Sequence, residues 1–187
     1  MRVMLGQVAL VALGLLLATS AAVAAGHFEG RLVLDAMDDG TLETEQAFAY
    51  IDMQGVRWEV PVRSKTDGAS VPKVLWGLLP PLQGRYLKAA VVHDVNCDSR
   101  TQPWQRVHQI FYEAMIDAQV DEITAKIMYA AVYAFGPRWN ADGSLQADEL
   151  PRPEVEQTIA LDGLKLWIEE NRPSLDAIRQ RVDGDGL

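Results

Sequence analysis

The spacing of apolar positions changes once along this chain. Phe28 to Met37 alternates in part and is rich in strand-forming residues, and Asp38-Asp39-Gly40 is a turn signal. Gln46 to Met53, Gln54-Gly55 and Val56 to Val62 then read as a hairpin, with Val56, Trp58, Val60 and Val62 on one face of its second strand. These segments predict a small antiparallel sheet. From Pro72 onward the period is helical. A short segment, Val71 to Leu79, ends at Pro80-Pro81, and a helix is expected from about Gly84 to Cys97. A polar turn, Asp98 to Gln102, precedes Pro103, which suits the first turn of a helix running to about Gln119. Asp121 is placed to cap a further helix, Glu122 to Phe135, which stops at Gly136-Pro137. A polar loop, Asn140 to Pro153, leads to two short amphipathic helices, Leu161 to Glu170 and Leu175 to Val182, and the last residues, Asp183 to Leu187, are expected to fray. Strands followed by helices imply an α+β fold.

The first two dozen residues stand apart from this pattern. Arg2, the apolar run Val8 to Leu17 and the small-x-small triplet Ala22-Val23-Ala24 have the layout of a cleavable secretory signal peptide spanning residues 1–24. The run is short for a membrane span of roughly 20 residues. Cleavage after Ala24 or Ala25 leaves about 162 residues, the size of one domain. The expected location is the periplasm or the exterior. His27, close to the new N-terminus, is not expected to be ordered.

Charge and cysteine usage narrow the function classes. The chain carries 26 acidic against 17 basic residues, for a net charge of −9, which argues against nucleic-acid binding. Cys97 is the single cysteine, so the fold relies on its core and not on intramolecular disulfides. A free thiol of this kind usually serves as a small buried hydrophobe.

The chemistry-bearing residues fall on the hairpin of the first two long helices. The first presents Tyr86, Ala89, Ala90, His93 and Cys97 on its inward stripe, and the second presents Trp104, Val107, His108, Phe111 and Met115. Antiparallel helices joined by a turn centred near residues 100 and 101 bring residues level when their numbers sum to about 201. His93 and His108 meet that condition. Two facing imidazoles with Asp94 beside the first would begin a metal site or an acid–base pair, whereas burying them with no shared partner would be costly. The aromatic residues Trp76, Trp104, Tyr112, Tyr129, Tyr133 and Trp139 are assigned to packing. Thr66 to Pro72, which joins sheet to helices, contains an Asp67-Gly68 turn and Ser70 as a helix cap; Asp67 and Ser70 can also reach the hairpin as a ligand and as a polar contact for substrate. Arg138, after Gly136-Pro137, is a candidate partner for a carboxylate or phosphate.

Taken together, Thr66-Asp67-Gly68-Ala69-Ser70-Val71-Pro72, Trp76, Pro80, Gly84-x-Tyr86, Ala89-Ala90-Val91-Val92-His93-Asp94, and Phe111 with Met115 resemble the family called domain of unknown function 1353, known from phage and bacterial genomes. The resemblance covers roughly Phe28 to Trp139 and leaves 140–187 as an extension. It implies that the Asp67-to-Ser70 turn and His93-Asp94 are signature positions. The commoner pattern has Ala-Asp three residues before the phenylalanine of the second helix; here Val107-His108 stands there, which favours a metal site built from His93, Asp94, His108 and Asp67 over a His–Asp dyad. A distant likeness to the helical hairpin of phospholipases A2 is an analogy in which His93 would activate water and Asp94 would bind calcium. The functional expectation is an exported hydrolase that uses a divalent metal, zinc before calcium, on peptidoglycan or lipid, with His93 and Asp94 catalytic and Ser70 and Arg138 holding substrate. The alternative is a non-catalytic envelope or phage-related assembly protein whose histidines are structural and whose groove binds a protein partner.

Overall fold

A computed structural model describes residues 25–66, 84–146 and 153–187. The expected signal peptide, Asp67, Ser70, Trp76 and the Val71-to-Leu79 segment lie outside the described residues.

The strand region forms two three-stranded antiparallel sheets, not one. The strands are β1 (His27–Glu29), β2 (Leu34–Ala36), β3 (Leu42–Thr44), β4 (Phe48–Ile51), β5 (Arg57–Val60) and β6 (Lys65–Thr66). One sheet has the order β1-β4-β5 and the other β2-β3-β6. The predicted hairpin is β4–β5, with Tyr50 opposite Trp58 and Phe48 opposite Val60. Trp58 and Val60 are buried as the alternation requires, but Val56 and Val62 lie beyond the strand ends and are exposed. His27, expected to be disordered, pairs with Ile51 at the edge of the first sheet.

Among the described residues five helices follow: α1 (Leu87–Ser99), α2 (Trp104–Asp117), α3 (Glu122–Phe135), α4 (Glu154–Asn171) and α5 (Leu175–Gly184). The side chain of Asp121 accepts from the Thr124 backbone N–H, the predicted N-cap of α3. The turn between α1 and α2 is made by Arg100, whose left-handed backbone (φ 49°) ends α1 while its N–H donates to the Asn96 carbonyl. Fourth in the series, α4 starts seven residues before the predicted Leu161, because its first two turns are exposed and carry no inward stripe for the sequence to display.

These elements stack in sequence. α1 packs against β5 and β6 on one side and α2 on the other, α2 packs on α3, and α3 packs on both α4 and α5. The inner helices α1 and α3 are therefore buried over most of their surface, Ala89 to Asp94 in one and Ala125 to Ala134 in the other. One continuous core runs from Phe48, Tyr50 and Trp58 through these helices to Leu161, Leu164, Ile168, Ile178 and Val182. The C-terminal extension thus shares its core with the hairpin. Among the described residues no helix is long and apolar enough to cross a membrane.

A polar clamp fixes the first sheet to α2. The Asp52 carboxylate accepts from the Trp58 indole at 3.0 Å, from the Gln54 and Val56 amides, and from Arg106 of α2 at 2.6 Å. Arg106 also donates to Glu113, and the Tyr50 hydroxyl donates to Asp117 at 2.5 Å. Burial raises the pKa of Asp52, but the four donors outweigh it and hold the carboxyl below its ordinary range. A carboxyl depressed in the folded state stabilises the fold above the unfolded pKa and loses that contribution as pH falls through the folded value. Acid titration of stability in the wild type and in Asp52→Asn is therefore expected to differ, with a shallower loss below the ordinary carboxylate range in the variant. Asp52→Ala, which strands three N–H groups and a cation, is expected to cost about 3–5 kcal/mol in denaturant unfolding.

Candidate functional site

The centre of the hairpin is built by two neighbouring turns of α1 and one turn of α2. His93 and Cys97 are four residues apart on α1 and so share one face, and His108 meets them from α2 at the predicted level. His93 Nε2 lies 2.8 Å from His108 Nδ1, and Cys97 Sγ lies 3.5 Å from the same His93 Nε2. Neither imidazole has any exposure, and Cys97 is 4 % exposed. These three donor atoms all fall within 4.8 Å of one another, the arrangement of a possible metal cluster. The sequence expectation of facing imidazoles is met.

The walls around the imidazoles are aromatic. Phe111 stacks on His93 with ring centres 4.8 Å apart, and Trp104 and Trp139 meet His108 edge-on at 5.5 and 6.3 Å. Trp139 is held by its indole N–H, which donates to the Gln102 carbonyl in the α1–α2 turn. Gly136, at the end of α3, brings the chain over the outer edge of His108. The packing assignment of Trp104, Tyr129, Tyr133 and Trp139 agrees with their burial.

Asp94 does not join the two imidazoles from the same side. One residue further along α1 turns its side chain about 100° away, so its Oδ1 lies 3.8 Å from Nδ1 of His93, the nitrogen opposite the one that meets His108. Its Oδ2 accepts from the Thr66 hydroxyl at 2.5 Å, which ties α1 to β6 at the last residue before Asp67. Cys97, assigned from sequence to packing, takes the third position of the cluster. Its signal was the four-residue spacing from His93. Arg138 donates to the carbonyls of Tyr133 and Leu187 and lies 4.9 Å over the Trp104 ring, which itself meets His108. Its hold on Leu187 also orders the end expected to fray.

Several polar atoms here are unsatisfied. Among the described residues His93 Nδ1, Asp94 Oδ1 and His108 Nε2 are buried without a well-formed hydrogen bond. Burial disfavours charge on both rings, but Cys97 and the Asp94 carboxylate beside His93 draw the proton to it and lift its pKa above the ordinary imidazole range. His108 moves the other way, pushed well below that range by burial and by the charge on His93, with the Pro137 backbone opposing. The two rings thus shift in opposite directions, upward on the ring next to the carboxylate.

Residues 42–132 match the model of a family described as protein of unknown function (DUF1353). That segment, just under half of the chain, is similar to DUF1353 proteins. It holds β3 to β6, α1, α2 and most of α3, and with them the entire cluster. The chain is 42 % identical over 93 residues to the uncharacterized protein y4iH of Sinorhizobium fredii (strain NBRC 101917 / NGR234), covering 49 % of this chain and 39 % of that protein. It is 36 % identical over 110 residues to the uncharacterized protein y4jT of the same strain, covering 58 % of this chain and 33 % of the relative. The chain thus spans little more than a third of the curated relatives it matches. No solved structure matches. The DUF1353 resemblance is upheld, whereas neither match supports the phospholipase analogy.

The closeness of the Gly136 backbone to His108 can be tested directly. A Cβ at Gly136 would collide with the Val132 carbonyl oxygen and stand 3.2 Å from Cε1 and Nε2 of His108. Gly136→Ala is expected to destabilise the protein by about 1–3 kcal/mol in chemical denaturation, by overpacking the end of α3 against the ring.

Proposed function

We propose that this DUF1353-like protein is an exported, metal-dependent hydrolase of cell-envelope material, with its centre at His93 and His108. One observation carries the reading: two imidazole nitrogens from different helices are aimed at each other, 2.8 Å apart, with no exposure to water. Histidines are common ligands of zinc-type cations, and burial of such a pair is costly unless it shares a proton or an ion. A bound divalent ion supplies Lewis acidity and a water of lowered pKa.

The residues of the chain would divide the work around it. His93 and His108 hold the ion, and Asp94, anchored by Thr66, orients His93. Asp67 and Ser70 follow Thr66 in sequence and are the candidates for an added ligand and a substrate contact, with Arg138 as a further contact for an anionic group. The signal-peptide layout of residues 1–24 supports the envelope as the place of action and peptidoglycan or lipid as the substrate class. Zinc suits these nitrogen donors better than calcium, which takes oxygen ligands.

A second reading rests on the same burial. A centre closed to water on its described sides suits a non-catalytic envelope or phage-related assembly protein, in which the histidines stiffen the hairpin and a protein partner is bound elsewhere.

Elemental analysis and turnover assays separate the two. The purified protein is expected to retain near-stoichiometric zinc, His93→Ala and His108→Ala to lose it, and hydrolysis of peptidoglycan or phospholipid to stop when a chelator is added. Metal retention without turnover of either substrate would favour the assembly reading. Absence of metal, with both variants as stable as wild type, would contradict a metal centre.

A further inference from the structure

We propose that Cys97 is the third ligand of this centre and Asp94 its outer carboxylate, so that the site is an imidazole–imidazole–thiolate centre selective for thiophilic cations. This rests on the metal reading above and goes further by naming the donor set and the class of ion.

The donor positions test the fit. In a tetrahedral zinc site a thiolate sulfur and an imidazole nitrogen lie roughly 3.5–3.6 Å apart. Cys97 Sγ and His93 Nε2 are already at 3.5 Å. Two imidazole nitrogens on one such ion lie roughly 3.3–3.4 Å apart. His93 Nε2 and His108 Nδ1, at 2.8 Å, must therefore separate by about half an ångström, and the ion has to bring all three donors, which lie within 4.8 Å of one another, to these spacings. The metal-free distance is that of a hydrogen bond, and the ion takes the place of the proton that the rings share. The thiol proton leaves as well, because the ligand is the thiolate.

Asp94 is excluded as a ligand of the same ion by its side of the ring. Its Oδ1 stands by Nδ1 of His93 while the donor pair uses Nε2, the disposition of a carboxylate that orients a ligating histidine. Thr66 holds the other carboxylate oxygen. Charge supports the assignment, since one thiolate and one carboxylate neutralise a divalent cation among buried, aromatic-walled side chains. Softness decides selectivity: thiolate and imidazole favour zinc, cadmium and cobalt, and disfavour calcium and magnesium.

Cobalt(II) is the probe. The purified, metal-stripped protein is expected to take up cobalt with an intense thiolate-to-cobalt charge-transfer band, which zinc or cadmium removes and excess calcium does not. Cys97→Ser and Cys97→Ala are expected to lose the band, with helical circular dichroism retained in at least one of them. Asp94→Asn is expected to keep the band but to bind about 10–100-fold more weakly. Cobalt bound without the band, or with equal affinity in both Cys97 variants, would overturn the thiolate assignment and leave the two-histidine reading standing. Failure to bind cobalt or zinc at all would remove both.

Discussion

Two imidazoles pressed together in a dry core impose the constraint on which the rest of this structure depends. A neutral imidazole has one donor and one acceptor nitrogen, so a pair excluded from water satisfies only two of its four ring nitrogens by internal contact. The contact between His93 Nε2 and His108 Nδ1 uses those two. Everything packed around the pair then has to hold two helices at one register. The aromatic rings of Phe111, Trp104 and Trp139 fill the space beside them, and Trp139 is tied back to the turn that sets the register.

The same constraint links the sheets to the site. α1 lies between the strands and α2, so a side chain on its far flank faces β6 and not α2. Asp94 occupies that flank and reaches Thr66, whereas His93 and Cys97 occupy the near one. The clamp of Asp52, Arg106 and Glu113 ties the first sheet to α2, so both sides of the hairpin are anchored to strands. The position of the centre is thus set from both sheets, by Thr66 beside it and by the Asp52 clamp.

Much of this was legible in the sequence, and the failures share a cause. Helix spacing and a short polar turn sufficed to align residues 93 and 108, because an antiparallel hairpin has little freedom of register. Asp121 as the cap of α3 and the β4–β5 hairpin were legible for the same reason, being local. The split into two sheets was not, since β1 pairs with β4 and β3 with β6 across long stretches of chain, and alternation reveals faces but not partners. His27 gained its order from such a pairing. Cys97 and Asp94 show how spacing outranks adjacency: on a helix the residue four positions on shares a side with His93, and the next residue does not.

The two hairpin imidazoles form one buried, hydrogen-bonded unit. Long-range proton–nitrogen NMR of the metal-free protein with labelled histidine is the decisive measurement. Nε2 of His93 and Nδ1 of His108 are expected to share a single slowly exchanging proton, and the two rings to titrate as a pair. Two rings titrating independently near the ordinary imidazole value, with freely exchanging protons, would contradict it.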